Sequence, residues 1–156
     1  MANVNPIPQG YSTVVPYISV KGANDAIAYY KKAFGAEELY RMLMPDGTVG
    51  HAELKIGDSI VMLADEMDHP DAIAKSPRTL GGVTSGLAMY VADCDAVFNR
   101  AVEAGGKLRR PLTNQFYGDR SGTVEDPFGQ VWTISTHVED VPPDELRRRM
   151  EAFAKS

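Results

Sequence analysis

The stretch DAIAYYKKAFGAEE at residues 25–38 returns in altered form as DAVFNRAVEAGGKL at residues 95–108. Both copies open on an aspartate, and both carry a glycine near the end, Gly35 and Gly105. Small and aromatic apolar residues recur at helical spacing in each copy, which predicts an amphipathic helix that ends at the glycine. The use of one helical phrase twice predicts that the chain contains two copies of one structural unit.

β-type segments surround each predicted helix. One β-branched stretch precedes the helix and three follow it, separated by turn signals such as the Gly-Asp pair at residues 57–58. The sequence therefore predicts an α+β fold of two βαβββ modules, which form a curved mixed sheet around a cleft, plus a C-terminal helix. The predicted segments are an N-terminal arm at 1–11, a first module at 12–66, a linker at 67–82, a second module at 83–137 and a C-terminal amphipathic helix at 138–156.

Local signals predict where the first elements begin and end. STVVPYISV at residues 12–20 is β-branched and aromatic, which is typical of a strand, and Pro16 within it indicates an edge position or an irregularity. Asn24 is predicted to cap the following helix, because its side chain can accept a hydrogen bond from a free N–H group of the first turn. Gly35 is predicted to end that helix in the left-handed conformation.

The third predicted strand shows the clearest separation of apolar and polar side chains onto two faces. TVGHAELKI at residues 48–56 alternates between apolar and polar side chains. The alternation predicts that Ala52 and Leu54 pack toward the helix, while His51 and Glu53 share the opposite face. If that face lines the cleft, both polar side chains can contact one ligand.

Composition and charge exclude several classes of function. The formal net charge is -5, so the chain gains no general electrostatic attraction to nucleic acid phosphates. Cys94 is the single cysteine, so no disulfide can form within the chain. The first residues lack the pattern of a secretion signal, and no apolar run reaches membrane-spanning length. We therefore expect a cytoplasmic protein with neither nucleic acid nor a membrane as its partner.

Three stretches of this chain resemble one known superfamily. They are the helical phrase after the first strand, VADCDAVFNRAVEAGGKL after the fifth strand, and TVEDPFGQVWTIS as the last hairpin. The chain resembles the glyoxalase / bleomycin-resistance / extradiol-dioxygenase superfamily, also called vicinal oxygen chelate proteins, and GHAELKIGDSIVMLAD is similar to its PhnB-like branch. The resemblance implies the two-module fold and a homodimer, with modules that pair within one chain or between chains.

The resemblance also implies where a metal ion would bind. Enzymes of the superfamily hold a divalent ion with His, Glu or Gln side chains from four strand positions. The corresponding positions in this chain are Val15, Met62, Leu87 and Thr133. None of these side chains is a carboxylate, an imidazole or an amide, so we expect neither a metal ion nor another cofactor.

His51 and Glu53 are the candidate catalytic residues, because a neighbouring carboxylate can orient and tune an imidazole base. The alternative interpretation is a solvated polar face of a strand. A second group is predicted to line a mainly apolar ligand pocket with a few hydroxyls, or else to be ordinary core packing. Its members are Val15, Tyr17, Ser19, Met62, Leu87, Met89 and Thr133.

Arg120 completes the predicted ligand-binding residues. Counting back from the last hairpin turn predicts that Arg120 and Gly122 share the face of Thr133. The planar guanidinium would then meet an anionic or carbonyl group of the ligand. The alternative is a surface ion pair with Asp119 or Glu125.

These observations favour one function and leave two others open. The favoured hypothesis is a protein that binds a small organic molecule in a metal-free cleft between the two modules. The alternative is a glyoxalase- or dioxygenase-like enzyme, a lyase, isomerase or ring-opening enzyme, with a non-standard site around His51 and Glu53. A third hypothesis is an interaction protein that uses the apolar stripe of its last helix, Leu146, Met150 and Phe153.

Overall fold

The computed structural model describes residues 4–70, 72 and 74–155; the remaining residues, which belong to the predicted arm, linker and tail, lie outside the described residues. The chain divides into two compact units, the first running to Val83 and the second beginning at Thr84. Each unit contains one four-stranded mixed sheet, with a helix between its first two strands. The predicted α+β class, with two βαβββ modules and a C-terminal helix, is confirmed.

The first unit forms its sheet in the order β1-β4-β3-β2. β1 runs parallel to β4, and the other two neighbouring pairs are antiparallel. A short helix, α2, follows the sheet within the predicted linker. The elements are β1 (Tyr17–Val20), α1 (Ala23–Phe34), β2 (Glu37–Leu43), β3 (Val49–Ile56), β4 (Ser59–Asp65) and α2 (Pro77–Leu80).

The second unit repeats this arrangement, with the strand order β5-β8-β7-β6 and a parallel β5–β8 pair. Its elements are β5 (Leu87–Tyr90), α3 (Cys94–Glu103), β6 (Lys107–Asn114), β7 (Asp119–Glu125), β8 (Val131–His137) and α4 (Pro143–Phe153). Across the described ranges of both units, every helix is too short or too polar to cross a membrane.

β1 is shorter than the strand predicted over residues 12–20. It begins at Tyr17, directly after Pro16, and the segment before it has no regular secondary structure. Pro16 lacks an N–H group and so cannot donate to a strand ladder, although its carbonyl accepts a hydrogen bond from the Met62 N–H at 2.9 Å. The proline therefore sets the N-terminal limit of the sheet.

Asp65, and not Asn24, caps α1. The helix begins after Gly22, whose backbone is left-handed with a φ of 90° and which has no side chain to offer. The Asp65 Oδ1 atom accepts hydrogen bonds from the N–H groups of Gly22 and Ala23, both at 2.9 Å, and its Oδ2 atom accepts one from Val49 at 2.8 Å. The prediction for Asn24 was wrong because a carboxylate at the end of β4, remote in sequence, reaches the positive end of the helix dipole.

The core of the first unit lies between α1 and one face of the sheet. α1 contacts all four strands, and the left-handed Gly35, with a φ of 68°, ends it as predicted. The side chains that lose nearly all their solvent exposure here are Val20, Ile27, Tyr30, Ala52, Leu54 and Leu63. Burial of such apolar side chains is the main favourable contribution to folding, so α1 fixes which face of the sheet turns inward.

α3 approaches the second sheet so closely that β7 requires a glycine. A Cβ atom at Gly122 would lie 2.6 Å from a ring atom of Phe98, a distance that no pair of carbon atoms can adopt without a shift. Phe98 itself is buried, with 5% of its surface exposed. The side of β7 that carries Gly122 is therefore the side that packs against α3.

We predict that Asp65→Ala destabilises the protein by about 2–3 kcal/mol, because it removes a helix cap and leaves three N–H groups without their charged acceptor. Urea unfolding followed by circular dichroism measures the change. Asp68→Ala is the matched control, since Asp68 is exposed and lies 3.8 Å from Lys75, an ion-pair geometry of little value at a surface. Equal midpoints for the two variants would contradict the role assigned to Asp65.

Candidate functional site

Alternation along β3 separates the two faces of the first sheet. Ala52 and Leu54 are fully buried on the α1 side, whereas His51 and Glu53 are half-buried on the opposite side, which we call the far face. Strand pairing identifies its other members, since directly paired residues project to the same side. The far face carries Tyr17, Ser19, Tyr40, Met42, His51, Glu53, Met62 and Ala64.

Four side chains at the far face form one hydrogen-bonded group, which we call the His51 cluster: Tyr11, Tyr17, His51 and Glu53. The Tyr17 hydroxyl lies 3.2 Å from His51 Nδ1, and His51 Nε2 lies 3.1 Å from Glu53 Oε1. The second carboxylate oxygen, Oε2, accepts a hydrogen bond from the Tyr11 hydroxyl. The cluster thus connects β1, β3 and the segment before β1 through their side chains.

The hydrogen bonds assign the protons of the His51 cluster. The hydrogen bond from Tyr11, together with the one from His51, holds the pKa of Glu53 below its ordinary value, so Glu53 is an ionised acceptor. His51 Nε2 must then carry a hydrogen, and in the neutral imidazole this leaves Nδ1 to accept from the Tyr17 hydroxyl. Burial raises the pKa of Tyr17, which keeps that donor protonated. The carboxylate likewise raises the pKa of Tyr11 to about 12.

Aromatic rings flank the His51 imidazole. The ring centroids of Tyr17 and His51 lie 5.6 Å apart, and those of Tyr40 and His51 lie 6.3 Å apart. The side chains of His51 and Glu53 keep 24% and 21% of their surface exposed, so solutes can reach them. Apolar and aromatic surface around a few oriented polar groups is typical of a site for a small organic molecule.

Two hollows adjoin this region of the first unit. The smaller has a volume of about 30 Å³, enough for a water molecule, and Tyr17, Ser19 and Ala64 contribute to its wall. The larger, of about 460 Å³, is an open depression beside the β2–β3 turn, within the size range of small-ligand sites. Gly50, Asp65 and Met67 line both, so the two hollows are neighbours.

The predicted residues of the first unit lie on the far face, with one exception. Five of them share the far face: Tyr17, Ser19, His51, Glu53 and Met62. Val15 lies outside the sheet, half-buried in the irregular segment before β1. The predicted pair of His51 and Glu53 is joined by a direct hydrogen bond, while its catalytic role stays a prediction.

The predicted residues of the second unit do not share one face. Leu87 pairs with Trp132, and Met89 pairs with Ile134, so both lie on the side of the buried Trp132 and Ile134. Thr133 faces the other way, with its hydroxyl 3.3 Å from that of Thr123. The prediction that Leu87 and Met89 share a face with Thr133 was wrong. β5 is apolar throughout, so its sequence has no alternation to indicate which side chains lie on which face of the sheet.

Arg120 is likewise placed on the α3 side of the second sheet. Its guanidinium donates to both carboxylate oxygens of Asp95, at 2.7 and 2.6 Å. The predicted face was wrong because Thr123, and not Gly122, pairs with Thr133. The alternative prediction of an ion pair with Asp119 or Glu125 was also wrong, since the partner of Arg120 is Asp95 at the start of α3. This bidentate pair fastens α3 to β7.

A second polar group lies at the end of the second sheet. His137 stands between two carboxylates, with Nδ1 2.8 Å from Asp119 and Nε2 2.9 Å from Asp140, and the Tyr90 hydroxyl donates to Asp119 at 2.7 Å. The hydrogen bonds to Asp140 and then Asp119 raise the pKa of His137. Both ring nitrogens donate, so the imidazolium is the form that this geometry stabilises.

No group of three or more His, Cys, Asp or Glu side chains among residues 4–70, 72 and 74–155 is arranged to hold a metal ion.

The sequence analysis did not identify Tyr11 and Tyr40, which contribute a hydrogen bond and an aromatic ring to the site. Tyr11 lies in a segment without any periodicity, so nothing in the sequence indicated its direction. Tyr40 reaches this face through its pairing with Glu53, after a shift of register in β2 that alternation alone does not reveal.

We predict a pKa above 6.5 for His137, measured by NMR titration of its ring proton at low ionic strength. Asp140→Asn should lower that pKa, because Asp140 makes the largest contribution to the shift. The stability that the imidazolium contributes is present below pH 6.5 and is lost as the pH rises through the raised pKa. Asp144→Asn is the control, since Asp144 pairs with Arg147 instead. An equal decrease in both variants would contradict the assignment.

Comparison with known proteins agrees with this architecture. The model of the glyoxalase/bleomycin resistance protein/dioxygenase superfamily matches residues 12–134. An uncharacterized protein of Mycobacterium tuberculosis is 39% identical over 138 residues, which cover 88% of this chain and 81% of the relative.

Two solved structures are also similar. TioX from Micromonospora sp. is 26% identical and superposes with a TM-score of 0.63, covering 81% of this chain and 99% of TioX. A PhnB protein from Bacillus cereus, described as a putative 3-demethylubiquinone-9 3-methyltransferase, is 19% identical with a TM-score of 0.62 over 80% of this chain and 99% of that protein, which shows a common fold. The chain therefore belongs to the glyoxalase/bleomycin resistance protein/dioxygenase superfamily.

Proposed function

We propose that this protein binds a small organic molecule at the far face of its first sheet, with the His51 cluster as the polar anchor and without a metal ion. The observation that carries the proposal is the cluster itself. Several polar and aromatic side chains from three parts of the first unit meet on one half-exposed face and are joined by hydrogen bonds. The cluster joins side chains that are remote in sequence and keeps them half-exposed, so their polar atoms are oriented and accessible.

The surroundings of the cluster support an organic ligand. Met42, Met62 and Ala64 provide apolar surface on the same face, and the rings of Tyr17 and Tyr40 flank the imidazole. Apolar contact would supply most of the affinity, and the hydrogen-bonding groups would orient the ligand.

The residue types at the superfamily's metal positions support the metal-free part of the proposal. Val15 has no donor atom in its side chain, and neither has Ala88, which pairs with Thr133 where Leu87 was predicted to lie. Thr133 offers a neutral hydroxyl, and Met62 offers a soft thioether that suits few of the ions used in hydrolytic or isomerising enzymes. The small molecule is thus the proposed partner of this chain, and a homodimer stays a prediction that comes from the family resemblance.

A second candidate function is general base catalysis at the same cluster. Tyr17, His51 and Glu53 place a hydroxyl, an imidazole and a carboxylate in series, the order in which a carboxylate orients a base and the base activates a hydroxyl. Such a site would abstract a proton next to a carbonyl group of the ligand. Product formation from a bound compound, followed by NMR and abolished in Tyr17→Phe, would favour this enzyme over the binding protein.

We predict that ligands selected by a thermal-shift screen of small organic molecules lose about ten- to a hundredfold in affinity in Glu53→Gln and His51→Ala, because each change breaks the charged hydrogen-bond network that orients the ligand. Isothermal titration calorimetry measures the affinities. Glu103→Gln, an exposed position on α3, is the matched control and should bind as the native protein does. Ligands whose affinity is the same in all four proteins would refute the far-face site.

A further inference from the structure

Tyr11 differs from the segment that carries it. Residues 4–14 precede β1 and form no helix or strand, and Tyr11 is the one residue among them that is not exposed. The backbone hydrogen bond of Tyr11 remains within this segment, since its N–H group donates to the Pro8 carbonyl at 3.2 Å. The phenol side chain, in contrast, turns onto the far face and donates to Glu53. Among the hydrogen bonds of the described residues, this one joins residues 4–14 to the sheet.

Glu53 uses its two carboxylate oxygens differently. Oε1 is bonded to His51, a residue of the same strand, so that bond belongs to the sheet itself. Oε2 accepts from Tyr11, a residue of an otherwise exposed segment whose displacement would disturb no strand pairing. Oε2 is therefore the acceptor that an incoming molecule can take over, provided that it offers a donor of similar strength.

We propose that Tyr11 is an internal occupant of a ligand subsite, and that the natural ligand carries a phenolic hydroxyl that displaces Tyr11 from Glu53 Oε2. The inference rests on the proposed function, because it specifies the ligand of that same far-face site. A phenol is a neutral donor attached to a ring, and the subsite already accommodates this combination. A phenol bonded to an ionised carboxylate forms a charge-assisted hydrogen bond, and its ring can pack against the flanking aromatic side chains.

Tyr11 would then act as a competitor that raises the specificity of the site. A ligand without a strong donor gains nothing from Glu53 and must still displace the Tyr11 bond. A phenolic ligand replaces one phenol–carboxylate bond with another, so the exchange costs little, while its remaining surface adds contacts to the far face. The apparent affinity for the ligand equals its intrinsic affinity multiplied by the fraction of molecules in which Tyr11 has left Glu53.

The test uses the full-length chain and the variant Tyr11→Phe, which removes the hydroxyl and keeps the ring, so that it opens no cavity. The probe is p-cresol, which reproduces the tyrosine side chain. p-Methylanisole lacks the donor, and benzylamine replaces it with a cation. Binding is followed by NMR of the His51 ring. Tyr117→Phe is the matched control, since Tyr117 is an exposed tyrosine of the second unit. Melting temperatures verify that all variants are folded.

We expect p-cresol to bind about tenfold more tightly to Tyr11→Phe than to the native protein or to Tyr117→Phe, because the internal competitor has lost its donor. p-Methylanisole should bind more weakly than p-cresol to Tyr11→Phe, because it offers no donor to Glu53, and the gain of p-cresol should disappear when Glu53→Gln is added. Equal affinity of p-cresol for all three proteins, no binding of p-cresol to any of them, or a gain confined to benzylamine would overturn the proposal.

These results are distinguishable from a failure of the proposed function. If screened ligands bind in a manner that depends on His51 and Glu53, while p-cresol affinity does not depend on Tyr11, the site stands and the ligand class is wrong. If no screened ligand depends on His51 and Glu53, the site itself is wrong.

Discussion

The burial of α1 against one face of the first sheet is the constraint on which the site depends. Ile27 and Tyr30 of α1 lose all their solvent exposure against that face, and Leu54 of β3 does the same from the sheet. Once these side chains are buried, the period of two along β3 leaves His51 and Glu53 no position except the far face. Asp65 supports the arrangement, because its carboxylate joins the start of α1 to the start of β3.

The two units show how one topology carries different chemistry. In the first sheet, the far face holds an imidazole that is flanked by two phenol rings and bonded to a carboxylate. The corresponding face of the second sheet is built from small hydroxyl side chains, of which Ser121 and Ser135 are buried, and it ends at the imidazole that bridges two acids. Function therefore has to be argued from the side chains of each sheet, since the repeated fold is common to both.

The sequence predicted the fold and part of the site for identifiable physical reasons. The repeated helical phrase and the turn signals specify the two modules, and the alternation of β3 correctly paired His51 with Glu53 on one face. The face on which Leu87 lies was not predictable, because β5 has no alternation of apolar and polar residues. Pairing with β8 determines which side of the sheet each of its side chains occupies. Tyr11 was not predictable either, since a side chain in an aperiodic segment is directed by the tertiary contact it makes.

The most direct test of the far-face site is a methyl NMR titration of methionine-labelled protein with a ligand from the thermal-shift screen. The chain contains seven methionines, and Met42 and Met62 lie on the far face, whereas Met89 and Met150 lie in the second unit on β5 and α4. Binding at the His51 cluster predicts that the methyl signals of Met42 and Met62 shift and saturate together, at the affinity measured by calorimetry. Shifts confined to Met89 or Met150, with Met42 and Met62 unchanged at saturation, would contradict it.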